Sequence, residues 1–416
     1  MIVRHTPKAS DAAEHILDQL EARGQEPRGF MERLGALKIE TPSWGYADTG
    51  TRFGKFYQAA AARTIEEKLD DAAQVHKLTG ICPTVAVHVL WDFPGGFDKK
   101  VIDYAKKAGV SIGAINPNVF QDQCYKYGSF GNRDPKVRKQ AVQHCLDSVK
   151  LGKATKSKYL SLWFADGTNY PGQDSIRARK QRFVEGLRKV HKALPAGMTM
   201  LVEYKPFEPA FYHTDIADWG MACLLAKAAG PQAKVLVDTG HHYLAQNIEQ
   251  IVAWLIDENM LGGFHFNDRR YADDDLTLGS IDPYQVFRIL NEIVAAEDER
   301  GERLEIAYMV DQSHNLKPKI EAMIQTVTLA HELYAKALLV DRKRLRDAQA
   351  RDDLVTAEEM LKDAFYTDTR PLVVEFRRSR GIEAEALAAH RASGYEARVA
   401  GERTERHGRQ AGGSYA

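Results

Sequence analysis

MTMLVEYKP at 198–206, KVLVDTGHH at 234–242, GGFHFNDRRYADDD at 262–275 and EIAYMVDQSHN at 305–315 are four apolar runs, each stopping at an acidic residue or a histidine. Each has the length of a strand and ends in groups able to do chemistry. Consecutive strands delivering carboxylates and imidazoles at their C-terminal ends would gather Glu203, Asp238, His241, His265, Asp273, Asp275 and Asp311 around one cavity. That grouping predicts a metal site.

Four further runs of strand length precede them, at 36–45, 82–92, 111–120 and 159–167, so there are eight in all. Segments of helical periodicity separate the runs, at 65–78, 97–108, 135–153, 174–194, 214–229, 247–258 and 283–296. Strict alternation implies parallel strands. Eight units favour an α/β fold of the TIM (β/α)8 barrel type, whose active sites lie at the C-terminal ends of the strands. An amphipathic segment at 11–23, with Ser10 as its cap, predicts an N-terminal helical arm over 1–35, and the barrel then occupies 36–316. Helical patterns at 317–346, 354–365 and 371–380 predict a C-terminal helical extension over 317–416, ending in a polar tail. We expect this extension to serve in oligomerisation, and Gly412, Gly413 and Ser414 mark an end expected to be disordered.

Composition narrows the partners. Lys plus Arg number 57 and Asp plus Glu number 57, so no overall field draws in nucleic acid or an anionic membrane. Four cysteines without a CxxC spacing suit a reducing, cytoplasmic location. No apolar run reaches the roughly 18 to 20 residues that a bilayer needs, and no signal peptide is recognisable at the N-terminus. A small neutral molecule is the expected partner.

The individual motifs each admit a plainer reading. Glu203 and Lys205, two apart on a strand, share the lumen face, and a buried ion pair would explain them as well as chemistry. Gly240 allows the turn that presents His241 and His242, of which one ring packed and one exposed is the simple alternative. The run Asp273-Asp274-Asp275 reads by itself as a solvated acidic loop, and it is no EF-hand because Leu278 stands where that loop requires glycine. Their joint placement at successive strand ends is what points to metal. Oxygen and nitrogen donors without thiolate suit Mn²⁺, Mg²⁺ or Co²⁺, and seven donors suggest two divalent ions.

No P-loop, strand-linked GxGxxG, HExxH or GxSxG motif is present. Aromatic residues flank the earlier strand ends instead: Trp44, then His88 and Trp91 in VHVLWD, then Trp163 and Phe164 in LWFADG. They read either as a sugar-binding surface or as ordinary core.

TPSWG, YKYGS, WFADGTNYPGQ, EYKPFEPAFY, VDTGHH, NIEQIVAWLI, GGFHFNDRRYADDDL and DQSHN together resemble the bacterial L-rhamnose isomerases of the Pseudomonas subtype, within the xylose isomerase-like TIM barrels. The resemblance implies an aldose–ketose isomerase with two divalent ions, usually Mn²⁺, acting as a homotetramer. It implies one ion on Glu203, Asp238, His265 and Asp311 and a catalytic ion on His241, Asp273 and Asp275. Lys205 would meet the carbonyl-end oxygens of the sugar, with His88, Trp91 and Trp163 lining the pocket and Asp311 close to the moving proton. Tyr204 and Pro206 depart from the His and Met that this family places around the lysine, and the WGGREG-like string of xylose isomerases proper is missing. Another preferred aldose, a metal-dependent phosphodiesterase on the same barrel and a non-catalytic sugar-binding barrel are the competing readings.

Overall fold

The computed structural model describes residues 9–51, 54–208, 212–270 and 273–408. Eight parallel strands occur in the expected order: β1 (Thr41–Pro42), β2 (Thr84–His88), β3 (Ser111–Asn116), β4 (Tyr159–Leu162), β5 (Thr199–Glu203), β6 (Ala233–Asp238), β7 (Leu261–Phe266) and β8 (Ala307–Val310). Each pairs with the next. Glu40 closes the ring: its N–H donates to Tyr308 O at 2.7 Å and its carbonyl accepts from Val310 N at 2.9 Å. The sheet is therefore a barrel rather than an open sheet with two edges.

Two helices precede the barrel, α1 (Ala9–Ala22) and α2 (Pro27–Ala36). Ser10, read from the sequence as a cap, lies inside the first turn of α1, and its side chain is outside the described part of the structure. The outer layer runs α3 (Ile65–Thr79), a single turn α4 (Val89–Asp92), α5 (Lys100–Ala108), α6 (Pro135–Thr155), α7 (Ile176–His191), α8 (Trp219–Ala229), α9 (Ile248–Asp257) and α10 (Pro283–Arg300). Polar caps start most of these helices. Thr64, Asp134, Ser175, Asp218, Asn247 and Asp282 each accept a first-turn N–H, which satisfies backbone groups that a helix start otherwise leaves bare.

Helix α11 (Lys319–Leu338), which the sequence reading counts with the extension, packs against both α10 and α3 and takes the place of the eighth outer helix. Beyond it come α12 (Arg342–Gln349), α13 (Leu354–Tyr366) and α14 (Arg370–Ser379). The expected polar tail is partly helical instead, with α15 (Ala386–Ala392) and α16 (Tyr395–His407). Charge rather than an apolar stripe fastens α16. Buried Arg403 grips buried Asp71 of α3 through Nη2 and Nη1 at 2.8 and 3.0 Å, and Arg406 reaches Glu67 at 2.7 Å. The expected disordered end at Gly412, Gly413 and Ser414 lies outside the described residues. Among the described residues no helix is long and apolar enough to cross a membrane.

Alternation along the strands sorts the interior. Val87, Ile115, Leu162, Val202, Val237, Phe264 and Tyr308 face the helices, while Ala86, Ala114, Leu201, Leu236, Ala307 and Met309 form a second apolar cluster that fills the lumen. Beside them Glu40 turns inward, accepting the Ala114 N–H at 2.9 Å. A Cβ on Gly113 would fall 1.4 Å from Glu40 Oε2, so only glycine fits there. One step above the apolar layer, the same inward face presents His88, Asn116, Trp163, Glu203, Asp238, His265 and Asp311.

Candidate metal centre

A cavity of about 1070 Å³ opens at the C-terminal ends of the strands. Parallel register puts Asp238 directly beside His265, while Glu203 lies one pair lower, opposite Leu236. One donor atom each from Glu203, Asp238, His265 and Asp311 lies within 4.8 Å of every other. Among the described residues this is the group of carboxylates and imidazoles that converges closely enough for a single ion.

Neighbouring groups hold each member in place. Asn267 Nδ2 donates to both oxygens of Asp238 at 3.0 and 3.1 Å, and Gly240 N adds a third bond at 2.7 Å. Trp44 Nε1 donates to Asp311 Oδ1 at 2.8 Å. His265 turns Nδ1 to Glu203 at 3.2 Å, with Asp311 at 3.6 Å and Asp238 at 3.9 Å, and its buried Nε2 has no partner. Such supporting bonds orient ligands before an ion arrives.

The other three predicted ligands stand against the same cluster. His241 is buried, with Nε2 2.9 Å from Asp273 Oδ1 and Nδ1 3.3 Å from Glu203 Oε1. Asp273 and Asp275 flank Asp274 in a loop where both adopt left-handed backbone, with φ of 53° and 48°. Non-glycine residues store strain in that conformation and keep it where the surroundings enforce it. The structure therefore brings the seven predicted donors together: six line the cavity, and fully buried Asp238 lies behind the lining, grouped with Glu203, His265 and Asp311. Asp273 differs from a free ligand, because Lys205 Nζ already holds its Oδ2 at 2.5 Å.

Lys205 reaches the cavity by a route other than strand alternation. Strand β5 ends at Glu203, and the Lys205 backbone pairs with the returning segment through Ile216 O at 3.0 Å and the Thr214 hydroxyl. Its ammonium bridges Asp273 and Glu208 and lies 5.1 Å from the Trp163 ring centroid.

Electrostatics show a site short of positive charge. Burial, followed by Glu203 and Asp311, pushes Asp238 up to about 7 against the pull of His241. Burial, then Asp273, Asp311 and Asp238, holds Asp275 well above the usual carboxylate range, and burial with Glu203 raises Asp311. Burial opposes charge on the two imidazoles, yet Asp238 and Asp273 lift His241 to about 10, and Glu203 and Asp311 lift His265 to about 9. For Lys205 burial is likewise outweighed by Asp273 and Glu208. Five carboxylates thus crowd two imidazoles and one ammonium, and the upward shifts of Asp238, Asp275 and Asp311 show how costly negative charge is in this cluster without a further cation. A divalent cation supplies what this donor set lacks, and the donor types fit it.

The opposite wall is aromatic. His88 lies between Trp44 and Trp91, with ring centroids 4.6 and 4.1 Å away, and Phe120 links Trp91 to Trp163 at 5.9 and 4.9 Å. Phe120 escapes the sequence reading because it lies four residues beyond the end of β3. Behind the wall, Asp92 receives Lys68 Nζ at 2.6 Å, Ser43 Oγ at 2.6 Å and the His88 N–H at 2.7 Å, which fixes the strand end carrying His88. His242 and Asp268 face away from the cavity: His242 pairs with Tyr204 OH at 2.6 Å, and Asp268 accepts the N–H groups of Arg269, Ile281 and Asp282.

Residues 55–296 match the family described as "Xylose isomerase-like TIM barrel". The chain is 41% identical over 395 residues to a protein of Rhizobium meliloti named "Probable sugar isomerase", spanning 94% of this chain and 92% of that one. A protein of the same name from Mesorhizobium japonicum is 40% identical over 391 residues, spanning 93% and 90%. Among solved structures, a xylose isomerase domain protein from Alicyclobacillus acidocaldarius superposes with a TM-score of 0.49 at 17% identity, covering 73% of this chain and 99% of that one.

Proposed function

The chain belongs to the xylose isomerase-like TIM barrel family, and from that premise we propose that it is a metal-dependent aldose–ketose isomerase with L-rhamnose as its first substrate to test. The observation that carries the reading is the convergence of Glu203, Asp238, His265 and Asp311 at the floor of an aromatic-walled cavity. In this reading those four residues hold one divalent ion and His241, Asp273 and Asp275 hold a second, with Mn²⁺ ahead of Co²⁺ and Mg²⁺. Bound ions supply Lewis acidity toward the oxygens on C1 and C2 of the sugar.

The protein's own groups do the rest. Lys205, kept charged by Asp273 and Glu208, donates to the carbonyl-end oxygen and stabilises the negative charge that grows there. Asp311 is turned by Trp44 so that Oδ1 is engaged and Oδ2 faces the cluster as an ion ligand, next to the place where the hydroxyl proton leaves O2 and is returned to O1 as hydrogen passes from C2 to C1. His88, Trp91, Phe120 and Trp163 enclose the open-chain sugar and exclude water. Assembly as a homotetramer through the C-terminal helices is part of the same proposal.

The test is conversion of L-rhamnose to L-rhamnulose before and after EDTA, with Mn²⁺ then restored. Loss and recovery of activity are expected, and turnover by the fully chelated protein would refute the metal-dependent reading. Turnover in deuterated water then separates the two ways of moving hydrogen. Little solvent deuterium at C1 of the ketose means direct transfer from C2, and substantial incorporation means exchange through a base.

A further inference from the structure

Three segments, YKYGS, the end of WFADG and the one returning after EYKPFE, converge on one buried side chain, Arg179 of α7. Its guanidinium grips Asp215 Oδ2 through Nε at 2.8 Å and Nη2 at 2.7 Å, and Nη1 reaches Tyr127 O at 3.2 Å and Asp174 Oδ2 at 3.3 Å. Asp166, 4.0 Å from the same guanidinium, accepts Ser129 N and Oγ at 2.7 Å and Gly131 N at 2.8 Å, and its carbonyl accepts Asp215 N at 2.8 Å. The glycines are needed for this approach: a Cβ on Gly128 or on Gly131 would come within 2.8 Å of Arg179 Nη2.

Asp215 sits between the two residues that hold the Lys205 backbone. The Thr214 hydroxyl donates to Lys205 O, and Ile216 O accepts from Lys205 N at 3.0 Å. We propose that Arg179 is a positioning residue for Lys205: by clamping Asp215 it fixes the segment from which Lys205 extends to Asp273 and over Trp163. The inference rests on the substrate role assigned to Lys205 above. A planar fork is required because only guanidinium makes the two-pronged bond to Asp215 while also reaching Asp174 and Tyr127 O.

The experiment compares Arg179→Lys, Thr214→Val and Lys205→Met, singly and combined, in the Mn²⁺-loaded enzyme. Arg179→Lys keeps the charge among three carboxylates, and Thr214→Val leaves the ion pairs untouched, so a misfolded variant in one arm leaves the other informative. Each is expected to lower kcat/KM roughly tenfold, since displacing a reacting group by about 1 Å can cost up to a hundredfold. Neither is expected to lower it further once Lys205 is already Met, whereas a merely structural role would multiply the two losses. A second readout needs no turnover. The Trp163 Nε1–H resonance, assigned with Trp163→Phe, should move in the same direction in Arg179→Lys as in Lys205→Met. An inactive wild type would refute the proposed reaction and leave the resonance to decide the positioning role. Multiplicative losses, or an unmoved resonance in Arg179→Lys, would overturn that role.

Discussion

The indole N–H of Trp44 and Oδ1 of Asp311 meet at 2.8 Å, although 267 residues separate them in sequence. The bond crosses the seam where the first strand meets the last, and it sets which oxygen of Asp311 is left for an ion. Trp44→Phe keeps an aromatic ring beside His88 and deletes the donor together with part of the indole. Mn²⁺ affinity, read by calorimetry on metal-depleted protein, is expected to fall about 10- to 100-fold, the usual loss when a ligand's orienting bond is removed. Unchanged affinity would show that the bond serves packing alone.

Asp238 gives a prediction whose sign reverses with metal. The carboxyl is fully buried and shifted up to about 7, so without an ion its charge is costly at pH 8. Asp238→Asn should melt higher than wild type in EDTA and lose the upward shift that Mn²⁺ gives wild type. For wild type that shift corresponds to about 2.7 kcal/mol at a hundred times Kd. A variant less stable than wild type in EDTA would count against charge repulsion as the state of the empty cluster.

Acid sensitivity should arise partly outside the site. His331 is buried between α2 and α14, with Nε2 3.1 Å from Leu34 O, and burial pushes its pKa from 6.5 down to about 3. The folded ring stays neutral while the unfolded chain takes up a proton below 6.5. Its contribution is therefore complete above that pH and drains away as pH falls toward 3, at about 1.4 kcal/mol per pH unit. Urea unfolding of His331→Gln between pH 6 and pH 4 should show a slope shallower by that amount. Parallel slopes would mean that the ring is already protonated in the folded protein.

Helix α16 can be detached by charge alone. Arg403→Met leaves buried Asp71 without its cation and with only the Tyr395 hydroxyl, at 2.9 Å, as a side-chain partner, a loss expected to cost about 3 kcal/mol in urea unfolding. The double variant Asp71→Asn with Arg403→Met should recover part of that loss. No recovery would show that Arg403 acts by filling space rather than by pairing.

The strand count and the strand ends that carry the clustered carboxylates and imidazoles were legible because both rest on local pattern: an apolar run of strand length, then a polar residue where the lumen opens. Lys205 was legible as a residue but not as a geometry, since its position comes from Thr214 and Ile216 rather than from β5. Arg179 gave no signal, because a cation in a helix with a low apolar content looks solvated until three loops fold over it. The tail was misread for a related reason. Helix α15 is only two turns long and α16 offers few apolar residues, and Arg403 and Arg406 stand out as anchors only once α3 presents Asp71 and Glu67. Local periodicity reports on burial of apolar surface, and these contacts are between charges.

Glu40, packed against Gly113, joins Ala86, Ala114, Leu201, Leu236 and Met309 in filling the lumen between the strands, so that part of the barrel is packed core and no passage. For the reversible conversion proposed above, arrivals and departures through the mouth at the strand ends compete. The consequence is self-throttling: as product accumulates outside, the mouth is occupied more often by molecules travelling the wrong way.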